Sequence, residues 1–97
     1  MTGAGPSRAV RVRVTGRVQG VWFRAWTQEQ ARDQGLSGWV RNCRDGSVEA
    51  VFAGPRDAVD RMVVLCRRGP PLAKVAGVEV FDEAGPVPVG FRQAPDA

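Results

Sequence analysis

The sequence predicts an α+β domain in which an antiparallel sheet carries two helices on one face. Three observations lead there: strand-like alternation at Val10, Val12 and Val14, two separate stretches with helical spacing, and the order in which strands and helices follow one another. The chain has 97 residues, and a chain of this size buries only about 60–65% of the surface its unfolded form exposes. It builds one thin core, so any functional site lies on the surface or edge of a single domain.

Residues 1–7 lack periodicity and read as a mobile tail. Val10, Val12 and Val14 then alternate with Arg11 and Arg13, the pattern of a strand with one buried and one solvated face. Residues 16–20, bounded by glycines, interrupt that strand. Residues 22–34 hold no Gly or Pro, and Phe23, Thr27 and Ala31 recur at i, i+4 and i+8. This spacing predicts a helix that ends at Gly35, where positive φ is freely available. Residues 36–42 read as a second strand, Arg44-Asp45-Gly46 as a turn, and residues 47–53 as the strand returning from it.

Gly54-Pro55 opens a second helix, with Pro at the first helical position and Asp57 in the first turn. Val59, Met62, Val63 and Cys66 form its apolar face, Arg67 and Arg68 complement the C-terminal end of its dipole, and Gly69-Pro70-Pro71 stops it. Residues 74–81 form a fourth strand, residues 89–93 add a short edge strand, and residues 94–97 fray. The order strand, helix, strand, strand, helix, strand is the split βαβ pattern of a ferredoxin-like βαββαβ sandwich. That fold hosts many unrelated activities, so function must be argued from the site.

The composition removes several chemistries. The chain has no His, two Cys and one Asn, at position 42. Without His there is no Ser-His-Asp or Cys-His catalytic arrangement and no His-ligated zinc or haem. Cys43 and Cys66 are too few and too far apart in sequence for a four-thiolate or redox motif, and read as two reduced thiols in a cytoplasmic protein. Neither a signal-peptide h-region nor a run of about 18 apolar residues is present, which speaks against secretion and membrane spanning. The net charge of +4 comes from 13 Arg and one Lys against 10 acidic residues. Guanidinium groups suit bidentate recognition of phosphate or carboxylate, although charge alone admits any anion, nucleic acid included.

The most informative stretch is Gly16-Arg-Val-Gln-Gly-Val-Trp-Phe-Arg24, between the first strand and the first helix. A Gly-containing loop feeding a helix N-terminus aims unpaired backbone N–H groups at one point, and the helix dipole adds partial positive charge there. Arg24 falls in the first helical turn, where its fork reaches the same anion. Gly38, Val40 and Asn42 share one face of the second strand, whose end this topology brings beside the loop. Asp45 and Glu49 form a candidate carboxylate pair, but Asp-Gly in a tight turn accounts for Asp45. Trp39 reads as packing on a sheet face or covering its edge. Cys43, beside Asn42, has no base to activate it.

Gly16-Arg-Val-Gln-Gly-Val-Trp-Phe-Arg24, Gly35-Leu-Ser-Gly-Trp-Val-Arg-Asn42, Asp45-Gly-Ser-Val-Glu49 and Pro70-Pro-Leu-Ala-Lys-Val75 resemble the acylphosphatases in order and spacing. The resemblance spans residues 10–80. It implies a ferredoxin-like fold over residues 8–93 with flexible tails at 1–7 and 94–97, and a monomeric hydrolase without cofactor or metal. Its substrate would be a small-molecule acyl phosphate, its product inorganic phosphate, and neither nucleic acid nor membrane a partner. By the resemblance, Arg24 binds phosphate, Asn42 orients the water, and Gln19, Gly20, Val21, Trp22, Phe23 and Arg24 form the phosphate-binding loop. Trp22 stands where a smaller residue, often Gly, is frequent, and a positive φ there would burden it. Nothing in the sequence identifies a reader of the acyl group, so broad selectivity is expected.

Two other readings compete. RNA-recognition domains share the element order, but they stack bases on aromatics of the central strands, where this sequence places Arg11, Arg13 and Glu49. The second is a catalytically silent copy, or a carbamoyl-phosphate-handling module of a larger maturation enzyme. Retention of both Arg24 and Asn42 argues against silence.

Overall fold

A computed structural model describes residues 7–97. The predicted tail at residues 1–7 falls outside them except for Ser7, which opens the first strand. The elements are β1 (Ser7–Arg17), α1 (Phe23–Asp33), β2 (Ser37–Asn42), β3 (Val48–Pro55), α2 (Arg56–Arg68), β4 (Lys74–Asp82) and β5 (Phe91–Gln93). The sheet order is β4-β1-β3-β2-β5, with β1 pairing antiparallel to both β3 and β4, and β3 to β2. The ferredoxin-like sandwich predicted by the element order is the fold observed.

Alternation sets the two faces of the sheet. Val10, Val12 and Val14 of β1, Val40 of β2, and Val48, Ala50 and Phe52 of β3 are buried against the helices. Phe23, Thr27 and Ala31 face them from α1, and Ala58, Val59, Met62, Val63 and Cys66 from α2. These are the helical faces that the i, i+4 and i, i+3, i+4, i+7 spacings define. On the open face Arg11 lies over the Phe81 ring at 4.7 Å and Arg41 over Trp39 at 4.8 Å. Glu49 sits between the two cations, accepting from Arg11 Nη1 at 3.1 Å and Arg41 Nη2 at 2.7 Å. Partial burial pushes the Glu49 carboxyl upward, but the hydrogen bonds and charges of Arg41 and Arg11 outweigh it and hold the group below the usual carboxylate range. Trp39 therefore packs on the sheet face, as its sequence reading had it.

Three expectations are corrected. Residues 16–20 do not interrupt β1 at Gly16: the strand continues to Arg17 through a register shift between Thr15 and Gly16. Gly16 has φ 117°, and a Cβ there would meet the Lys74 carbonyl oxygen at 2.3 Å, so the β1–β4 ladder runs on only because this residue is glycine. Pro55 is the cap preceding α2, with ψ 137°, rather than its first helical residue. The sheet is mixed, because β5 pairs parallel to β2, with Gly38 opposite Phe91 and Val40 opposite Gln93. The chain crosses from the β4 edge to the opposite edge through residues 83–90, and stacking of Phe91 on Phe52 at 5.5 Å anchors its arrival. Beyond β5, Ala94 N–H donates to the Val40 carbonyl and Ala97 N–H to the Asn42 carbonyl, carrying the parallel alignment to the end of β2.

Gly16→Ala places a methyl group against the β4 backbone at a φ that L-residues avoid. We expect a loss of about 2–4 kcal/mol of unfolding free energy in urea titration; a loss under about 0.5 kcal/mol would show that the bulge relaxes without strain.

Candidate anion site at the start of the first helix

Residues 18–22 join β1 to α1. Val18 and Val21 are buried and fix this loop to the core, while Gly20 has φ 73° and Trp22 φ 69°, ψ 19°. Trp22 is the one non-glycine residue with positive φ among the described residues. The left-handed conformation costs an L-residue about 1–2 kcal/mol. The sequence anticipated this burden.

Trp22 is also the cap position of α1. Its carbonyl accepts from Trp26 N–H at 3.0 Å, no side chain caps the helix, and its first turn holds no acidic residue. The amides of Phe23, Arg24 and Ala25 precede the first intrahelical donor, so the positive end of the dipole carries no protein counter-charge from its own turn. Anions bind at such ends.

The loop is tied to the rest of the sheet by one side chain. Gln19 Nε2 donates to the carbonyls of Cys43 and Ser47, each at 2.8 Å. These carbonyls flank the β2–β3 turn, where Cys43 N–H also donates to Ser47 O at 2.9 Å. Through this tie the loop lies beside Asn42, the last residue of β2. A cavity of about 440 Å³ results, lined by Val18, Gly20, Trp22, Phe23, Arg24, Ala25, Asn42 and Gln93.

Five of the sequence candidates thus converge: Gly20, Trp22, Phe23, Arg24 and Asn42. Gln19 and Val21 do not line the cavity with their side chains, because one is the strut to the β2–β3 turn and the other is core. Gln93 was missed. It reaches the site because β5 adds in parallel beside β2, a pairing that leaves no local mark in the sequence; a second cavity, of about 470 Å³, lies toward the start of β2 around Leu36, Gly38 and Phe91 and holds Trp39 but neither Arg24 nor Asn42.

The remaining candidates have structural partners. One Asp45 oxygen accepts from Ser47 N–H at 2.9 Å and Ser47 Oγ at 2.6 Å, closing the turn, and the carboxylate also pairs with Arg13. Glu49 is held by Arg11 and Arg41, so the two acids are not a catalytic pair. Both cysteines are free, and burial pushes the Cys66 thiol up to about 12. Among the described residues no three His, Cys, Asp or Glu side chains gather where they could hold a metal ion.

Arg24 does have an anionic neighbour. Its Nη1 lies 3.3 Å from Asp96 Oδ1, delivered by the C-terminal residues that follow β5. Both side chains are substantially exposed, so the pair is weak.

The acylphosphatase family profile matches residues 10–93. A protein of Rhizorhabdus wittichii named acylphosphatase is 58% identical over 97 residues, covering 98% of this chain and 98% of its own length. One of Rhodospirillum rubrum with the same name is 51% identical over 88 residues, 91% of this chain and 97% of its own. The solved structure of an acylphosphatase from Coxiella burnetii superposes with a TM-score of 0.89 at 34% identity, over 97% of this chain and 100% of that one.

If Asp96 competes for Arg24, Asp96→Asn should tighten inorganic phosphate binding about 2–3-fold at low ionic strength, the worth of an exposed ion pair. Calorimetric titration reads this directly. Unchanged affinity would mean that the contact yields to phosphate at no energetic expense.

Proposed function

The chain belongs to the acylphosphatase family, and from that membership we propose which of its groups perform the reaction at the cavity beside α1. The protein is an enzyme that hydrolyses the carboxyl-phosphate bond of acyl phosphates to a carboxylate and inorganic phosphate. The proposal concerns the roles of Arg24, Asn42 and the loop, and the absence of a metal requirement. One observation carries it: Arg24, Asn42 and an uncapped helix N-terminus share one cavity.

Arg24 binds two phosphoryl oxygens with its guanidinium fork, and backbone amides of residues 19–24 take the remaining equatorial charge. The Asn42 side chain hydrogen-bonds the attacking water. Water adds to phosphorus, the bond from phosphorus to the acyl oxygen breaks, and its electron pair leaves with the carboxylate. The water's proton passes to a phosphoryl oxygen. A carboxylate with an ordinary pKa of about 4 departs unprotonated, so no general acid is needed. Phosphoryl transfer is served mainly by positioning and electrostatic stabilisation, which amides and one guanidinium supply.

The functional unit is taken as residues 8–93, acting as a cytoplasmic monomer on a small molecule. Two free thiols support the reducing compartment. No helix of the described residues is long and apolar enough to cross a membrane. Nothing favours nucleic acid as a partner, since the open-face rings of Trp39 and Phe81 are covered by Arg41 and Arg11.

Hydrolysis of a synthetic aroyl phosphate, followed by ultraviolet absorbance, should be equal with and without chelator; chelator sensitivity contradicts the metal-free mechanism. Arg24→Lys keeps the charge and loses the fork, and should lower kcat/KM by at least about 100-fold while weakening phosphate inhibition. Asn42→Ala should lower kcat by about 100-fold and leave phosphate affinity within about twofold, because Asn42 touches the nucleophile and not the anion. Loss of phosphate binding in that variant would assign Asn42 to the anion or to holding the loop.

A further inference from the structure

Trp22 is held in a left-handed backbone conformation and leaves 75% of its surface in water. Its neighbours are used differently: Phe23 is buried, and Trp26 packs edge-on against Phe23 at 5.4 Å. No ring or cation of the described residues pairs with the Trp22 indole. The core does not need this side chain, and a strained, solvated indole contributes little to folding.

The indole does line the cavity that Arg24 and Asn42 share. On the reading proposed above, those two residues and the loop amides serve the phosphoryl group and the water. The one other polar side chain of the cavity, Gln93, has its Nε2 engaged by Gln28 Oε1 at 3.0 Å, and the cavity of about 440 Å³ exceeds what a phosphoryl group fills. Trp22 is the largest apolar side chain on its wall, and an aromatic face packs best against a flat, apolar surface.

We infer that Trp22 is the specificity-determining contact for the acyl group, packing its indole against the R group and favouring aroyl phosphates over acetyl phosphate. The R group is remote from phosphorus and changes little between ground and transition states. The contact therefore lowers KM and leaves kcat nearly untouched, the signature of uniform binding.

The test compares benzoyl phosphate with acetyl phosphate in the wild type, Trp22→Phe and Trp22→Leu, with inhibition by inorganic phosphate measured in each. Leu carries the same left-handed backbone penalty as Trp, so the loop is strained alike and only the aromatic face is lost. We expect the benzoyl-to-acetyl ratio of kcat/KM to fall about 5-fold in Trp22→Leu, chiefly through the KM for benzoyl phosphate, and to be largely retained in Trp22→Phe. An unchanged ratio in Trp22→Leu overturns the inference. So do equal losses on both substrates with weakened phosphate inhibition, which would confine Trp22 to shaping the loop backbone. Turnover of neither substrate by the wild type overturns the hydrolytic reading and the inference with it, whereas turnover with an unchanged ratio overturns the inference alone.

Discussion

The side chain of Gln19, donating to the carbonyls of Cys43 and Ser47 at 2.8 Å each, is the connection on which the site depends. It joins two segments that the sheet does not bring together, since β1 and β2 are separated by β3. On one side stands the loop that ends at Arg24, on the other the end of β2 with Asn42. Both carbonyls also accept within the turn, Cys43 O from Gly46 N–H at 3.1 Å and Ser47 O from Cys43 N–H at 2.9 Å, so the tie takes the second lone pair of each. One amide thus holds the loop that ends at Arg24 and the end of β2 that carries Asn42 in a single frame.

Rigidity around this frame is supplied by features that would otherwise look like defects. Gly16 carries β1 past a register shift, so that the strand delivers the loop from a paired ladder. Trp22 is strained and α1 is uncapped. An ordinary stabilising cap, such as Asp or Ser with its oxygen on the first-turn amides, would occupy the groups that an anionic substrate needs. The core formed by β1, β3 and the two helices holds that strain in place.

The chemistry asks little of the side chains. A leaving carboxylate needs no acid, and charge and oriented N–H groups can hold a phosphoryl group, so the lack of His in this chain is no obstacle to the hydrolysis. The two acids that read as a carboxylate pair have structural partners instead: Asp45 closes its turn, and Glu49 lies between Arg11 and Arg41 on the open face. Of the five ion pairs among the described residues, the Arg24–Asp96 contact alone reaches the cavity, and it does so from the C-terminal residues.

Periodicity alone determined the buried face of β1 and those of the two helices. Val10, Val12 and Val14, the Phe23, Thr27 and Ala31 stripe and the Val59 to Cys66 stripe were legible because alternation and helical spacing are local properties of the chain. Arg24 and Asn42 were legible because their motifs are contiguous. What the tertiary structure decided was non-local: the parallel pairing of β5 with β2, the placing of Gln93 and Asp96 at the site, and the use of Gln19 as a strut. Each depends on which segment arrives beside another after the sheet has closed, and no short-range pattern encodes that arrival.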